Sequence, residues 1–173
     1  MPASHSPVVD AFALASDRGE LRGEFALARL PRLAAMLLDR VGSLSYAIQG
    51  RIDAQGRHGA TMQLQADLVL RCERCNSPVT FRLEREAQFR FAADENELAS
   101  WPIEDDEFED VVGSRHMDLA EWVEDEAILS LPVVPRHAAC RAPGSHQSPD
   151  ADEVVVARPF AALAGFKAAR RDN

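Results

Sequence analysis

The sequence predicts an α+β fold: a mainly antiparallel β-meander packed with a few helices, in a single domain over residues 1–173. Three observations point there. Between residues 44 and 91, apolar and polar side chains alternate with period two over successive runs broken only by short turns. Helix-type spacing with start signals is confined to short stretches on either side of that region. The chain has 173 residues, 46% apolar and 27% charged, the size and composition of one globular domain with its own core.

Each element follows from its residues. Residues 8–18 predict a short helix with Val8, Val9, Phe12 and Leu14 on its apolar side, and residues 21–27 a short strand. Pro31 suits the first position of a second helix, where its missing N–H costs nothing; Leu33, Met36, Leu37 and Leu38 form the stripe and Gly42 the stop. Leu44, Tyr46, Ile48 and Ile52 begin the meander. Ala60, Met62, Leu64, Ala66, Leu68, Leu70 and Cys72 hold every second position of the next run. Val79, Phe81, Leu83, Ala87, Phe89 and Phe91 hold the third, interrupted by Arg85. Short turns between such runs make antiparallel hairpins. Residues 93–110 read as an acidic loop. Asp118 is a helix N-cap with Glu121 completing a capping box. Leu119, Trp122, Val123 and Ala127 are the buried stripe of that helix, Glu121, Glu124, Asp125 and Glu126 mostly face water, and Pro132 ends it. Residues 141–158 are expected to be a mobile loop, and Pro159 to start a last helix with Phe160, Leu163 and Phe166 on one side.

The net charge of −9 is unevenly spread. Residues 93–130 carry 14 Asp+Glu against one basic residue, while the segments on either side are each slightly positive. Such asymmetry marks either a solvated acidic surface or a face for a charged partner. No apolar run approaches a membrane span, the N-terminus lacks the pattern of a secretory signal, and an odd count of three cysteines argues against a disulfide framework; a cytoplasmic location is expected.

Cys72-Glu73-Arg74-Cys75 is the motif with defined chemistry. Two thiolates at this spacing in a tight turn can hold a tetrahedral ion, and His137-Ala138-Ala139-Cys140 offers a second pair, giving a Cys₃His set suited to zinc. Two further readings stand beside it: reduced cysteines packing a hairpin turn, and a redox dithiol, which is disfavoured because a strand rather than a helix follows. No phosphate loop, HExxH or GxSxG motif occurs, and the histidines form no hydrolase constellation, so the residues argue against an enzyme and against a small-molecule substrate. Arg51, Arg71, Arg82 and Arg90 at outward strand positions, with Arg74 in the turn, are candidates for an RNA-facing surface, though Glu73, Glu84 and Glu86 are interleaved with them.

Leu70-Arg71-Cys72-Glu73-Arg74-Cys75, the block running from Asp118 through Trp122-Val123-Glu124-Asp125-Glu126 to Pro132 and Pro135 with His137, and Pro159-Phe160-Ala161-Ala162-Leu163-Ala164 together resemble the YceD family of bacterial proteins over residues 21–167. That resemblance implies a non-enzymatic role in synthesis, processing or stability of 23S ribosomal RNA and in large-subunit assembly. It carries over no catalytic residue. Some relatives have additional cysteines after the helix, where this chain has Cys140. The alternative is a zinc-stabilised interaction module with no ribosomal connection. The partners expected are large-subunit assembly intermediates. A polyanion should avoid the acidic segment and a basic ribosomal protein should seek it, which nominates Glu107, Glu109, Glu124 and Asp125 for the protein contact and leaves any ribosomal RNA contact to the arginine-bearing sheet face.

Overall fold

The structure is a computed structural model that describes residues 7–102 and 108–140. The elements run β1 (Val8–Val9), α1 (Ala11–Ser16), β2 (Glu20–Ala26), a 3₁₀ turn (Leu27–Arg29), α2 (Pro31–Met36), β3 (Ser43–Ile52), β4 (His58–Arg71), β5 (Pro78–Ala92), α3 (Glu95–Ser100), β6 (Glu109–Val112), β7 (Met117–Asp118) and α4 (Leu119–Leu129). The fold is α+β. A sheet of order β2-β3-β4-β5-β6 is antiparallel except at β6, and β1 pairs with β7 in a small ribbon.

The period-two runs become the three central strands, and their inward positions make the core. Leu44 and Ile48 of β3, Met62, Leu64 and Leu68 of β4, and Leu83, Ala87 and Phe89 of β5 are buried. Helices α1, α2 and α4 supply Leu14, Leu33, Trp122 and Val123 to the same cluster. Gly50 permits the closest approach: a Cβ there would lie 1.9 Å from the Leu14 carbonyl oxygen, so only glycine lets α1 cross β3 at this depth. The other sheet face is polar along most of its length.

Several expectations are corrected. Residues 8–18 split, because Val8 and Val9 pair with β7 before Asp10 caps α1 through the N–H groups of Phe12 and Ala13. Helix α2 stops at Met36 rather than running to Gly42. Leu37 is extended, Leu38 N–H donates to the Val69 carbonyl at 2.8 Å, and Asp39 bridges Val69, so pairing with β4 wins over another helical turn. Gly42, at φ +113°, turns the chain into β3. The acidic stretch is not simply a loop. It contains α3, capped by Asp94, and β6, which adds parallel to β5 with Phe89 opposite Glu109.

The face assignments of α4 also change. Glu124 is 4% exposed and Glu126 2% exposed, against the expectation that both face water. Helix α4 packs on two sides, and each carboxylate has a built partner. Glu124 Oε1 accepts from the N–H groups of Arg32 (2.7 Å) and Leu33 (3.0 Å), and Oε2 from Arg32 Nε at 3.0 Å, so α4 supplies the N-cap that Leu30 cannot give α2. Glu126 Oε1 accepts from Arg85 Nε at 2.7 Å, and Arg85 Nη2 also reaches Glu109 Oε1 at 2.7 Å. Arg85, the one interruption of β5's inward stripe, is thus the sheet's tie to α4 and β6. Burial raises the Glu126 carboxyl above its ordinary range, and Arg85 opposes that rise.

Candidate metal centre

The inward period of β4 carries one residue past the strand and buries Cys72 at the sheet's end. The turn that follows is closed by Cys72 N–H to Ser77 O (2.9 Å) and Asn76 N–H to Cys72 O (2.8 Å). Asn76 takes φ +62°, which asparagine tolerates better than most residues, and the turn folds Cys75 back beside Cys72. The segment after α4 then crosses this turn. Glu73 N–H donates to Pro135 O at 2.9 Å, Arg74 Nη1 to Cys140 O at 2.9 Å, and Cys140 N–H to His137 O at 3.3 Å.

These bonds gather Cys72, Cys75, His137 and Cys140, whose ligand atoms all lie within 4.8 Å of one another. Cys72 Sγ is 3.6 Å from Cys140 Sγ, and Cys75 Sγ is 3.5 Å from His137 Nδ1. Ligands about 2.0–2.3 Å from a tetrahedral zinc sit roughly 3.5–3.8 Å apart, so both separations match the edges of such a site. They are far from the roughly 2.05 Å of a disulfide, and none of the three cysteines is disulfide-bonded. His137 Nε2 lies 2.8 Å from the Pro78 carbonyl. Donation there fixes the tautomer that leaves the Nδ1 lone pair pointing at the thiols, the orientation a ligating histidine needs.

The electrostatics suit a cation. Burial of the Cys72 sulfur opposes ionisation, but N–H groups of Cys75, Arg74 and His137 donate to it and bring its thiol down to about 5. The Ser77 N–H holds the Cys75 thiol below its ordinary value. Burial, with Cys75 and Cys72 as neighbours, pushes Cys140 up to about 11. Donation to Pro78 raises His137. The cluster therefore gathers thiolate character that one retained proton, or one metal ion, can neutralise.

A profile described as "Large ribosomal RNA subunit accumulation protein YceD" matches residues 60–167, which include the strand leading to this turn, α4 and all four candidate ligands. The chain belongs to the YceD family. A curated relative from Haemophilus influenzae, named Large ribosomal RNA subunit accumulation protein YceD, is 29% identical over 188 residues, covering 96% of each chain. No solved structure matches the chain.

The other residues nominated from the sequence of this YceD-family chain are not gathered into one surface. Arg71, bonded to Asn76, and Arg74 stand at the cysteine turn. Arg82, mid-strand, pairs with Asp67 and Glu84. Arg51 and Arg90 share the far row of the sheet, where Arg51 pairs with Gly59, Gly59 with Arg90 and Arg90 with Asp110. Arg90 is 3% exposed, contrary to its expected outward position. It is bonded to Asp110 through Nε (2.5 Å) and Nη2 (2.7 Å) and lies 4.6 Å from the Phe108 ring centre. Arg51 lies under the same ring at 4.6 Å, with its Nε and Nη2 buried and without a hydrogen-bond partner among the described residues. Trp101 covers Arg57 and Arg90. The sequence reading missed this cluster; its signal was two aromatic residues, Trp101 and Phe108, within an acidic stretch. Of the acidic candidates, Glu124 is enclosed under α2 and withdrawn from any contact surface. Asp125 pairs with Arg32 at the surface, Glu109 pairs with Arg85, and Glu107 lies outside the described residues. The Pro78 carbonyl was also missed, because a backbone acceptor leaves no mark in a sequence.

Among the described residues, no helix is long and apolar enough to cross a membrane. The helix expected from Pro159 and the loop expected over 141–158 lie outside the described residues.

Proposed function

We propose that this chain is a cytoplasmic, non-enzymatic ribosome-biogenesis factor that supports synthesis, processing or stability of 23S ribosomal RNA during large-subunit assembly, with one structural zinc held by Cys72, Cys75, His137 and Cys140. Membership of the YceD family carries the reading, reinforced by similarity to a Haemophilus influenzae protein named for large ribosomal RNA subunit accumulation. It favours a ribosomal role over an unrelated zinc-stabilised module. The convergence of four ligand atoms within 4.8 Å, two of their separations matching tetrahedral edges, supports the zinc. A bound ion would clamp residues 131–140 across the β4–β5 turn and so fix the C-terminal side of α4. The partners are large-subunit assembly intermediates. Asp125 and Glu109 meet a basic ribosomal protein, and any contact with ribosomal RNA falls near Arg71 and Arg74, where the acidic segment is distant in sequence.

The test is the 23S-to-16S RNA ratio, with sucrose-gradient profiles, in a strain lacking the protein and in the same strain complemented. The ratio should fall and immature large subunits accumulate, with both reversed by the wild-type chain. Normal ratios and profiles under optimal growth and cold stress would sink the reading.

A further inference from the structure

A groove of about 730 Å³ runs between α4 and β6, the edge strand of the sheet. Phe89, Val111, Met117 and Trp122 line it with apolar surface. At its sides stand Leu129, 74% exposed, and Val112, 40% exposed, large apolar side chains that water covers poorly. Trp122 Nε1 is buried and has no acceptor among the described residues, a donor that an incoming carbonyl would satisfy. The rim is acidic. Glu109, Glu121 and Asp125 line it, and Arg32 is the only lysine or arginine among the described lining residues. Arg85 answers Glu109 and Arg32 answers Asp125, but Glu121 has no ion-pair partner among the described residues.

From this chemistry we infer that the α4–β6 groove is a docking site for a basic, amphipathic segment of a partner protein, with an apolar side chain seated against Trp122 and lysine or arginine beside Glu121 and Asp125. Charge complementarity selects the occupant. Carboxylates around an apolar floor attract cationic side chains and repel a phosphate backbone, so RNA is excluded from this groove. That the partner is a large-subunit ribosomal protein rests on the function proposed above; the groove's preference for a basic amphipathic segment does not.

The experiment is fluorescence anisotropy of a labelled peptide titrated with the full chain. The probe carries leucines at i, i+3 and i+7 with lysines between them. A peptide of the same composition with the leucines dispersed is the comparison. Saturable binding to the patterned peptide is expected. Leu129→Ser and Glu121→Lys, both at exposed positions, should each weaken it about tenfold, whereas Glu84→Lys, the same charge change on the polar sheet face, should leave it within about twofold. Equal binding of both peptides, equal loss with Glu84→Lys, no loss with Leu129→Ser, or displacement of the peptide by single-stranded RNA would each overturn the inference. Complementation with Leu129→Ser/Glu121→Lys separates the two proposals. Full rescue of the 23S-to-16S ratio by this variant contradicts a large-subunit ribosomal protein as the groove's partner, while a deletion strain with a normal ratio contradicts the ribosomal role; in either case the peptide titration judges the groove itself.

Discussion

The two ends of the long β4–β5 hairpin are closed by different chemistry. At the turn end, three thiols and an imidazole converge around Cys72, and a few hydrogen bonds, from Glu73 N–H to Pro135 O, Arg74 Nη1 to Cys140 O and His137 Nε2 to Pro78 O, tie residues 131–140 to the turn. At the far end, Arg90 is locked to Asp110 beneath Phe108 and Trp101, with Arg51 stacked beside it. At the core of the second closure protein atoms supply both the charge and its counter-charge, the Arg90–Asp110 pair being hydrogen-bonded and covered by aromatic rings. The first brings together ligands that a cation would complete. One end should therefore respond to metal supply and the other should not.

The largest expected effect breaks the turn end. Cys75→Ser should lower unfolding free energy by about 3 kcal/mol in zinc-containing buffer, because it would remove one of the four proposed zinc ligands and with it the folding energy that metal binding would supply. A chelator should bring the wild type down to the same level and leave the variant unchanged, as read by denaturant unfolding. Arg90→Met should cost a comparable or slightly smaller amount, about 2–3 kcal/mol, by leaving Asp110 uncompensated. That loss should be the same with and without chelator. A chelator effect confined to neither end, or present in both, erases the contrast.

Acid sharpens it further. Zinc must displace the proton that burial and the neighbouring thiols hold on Cys140, pushed up to about 11, and the one that donation to Pro78 favours on His137, so binding should weaken with each unit of acidification and metal content fall progressively as pH drops below neutral. Glu124→Ala, which strips α2 of its cap without touching either end, should cost about 1–2 kcal/mol. Arg82→Ala, an exposed pair mid-strand, should cost no more than about 0.5 kcal/mol.

The central strands were legible because the period-two pattern is long: the inward stripe named on β4 is buried from Ala60 to Cys72. Strand β6 was not, because its four residues follow an acidic run and its parallel pairing with β5 arises only once α3 has turned the chain back. The burial of Glu124 and Glu126 escaped notice for a related reason. Helical periodicity identified the side of α4 that meets the sheet through Trp122, but a second packed side exists only because α2 and Arg85 lie there. Of the site, the ligand types were readable from CxxC and HxxC. Their meeting was not, since the long spacer between the pairs is closed by the whole fold rather than by any local signal.

The most direct test of the proposed zinc site is zinc content by mass spectrometry on protein purified without chelator, for the wild type and Cys75→Ser. About one zinc per wild-type chain and almost none in the folded variant is the expected result. Wild-type protein carrying far less than one zinc, or Cys75→Ser retaining a full complement, would contradict it.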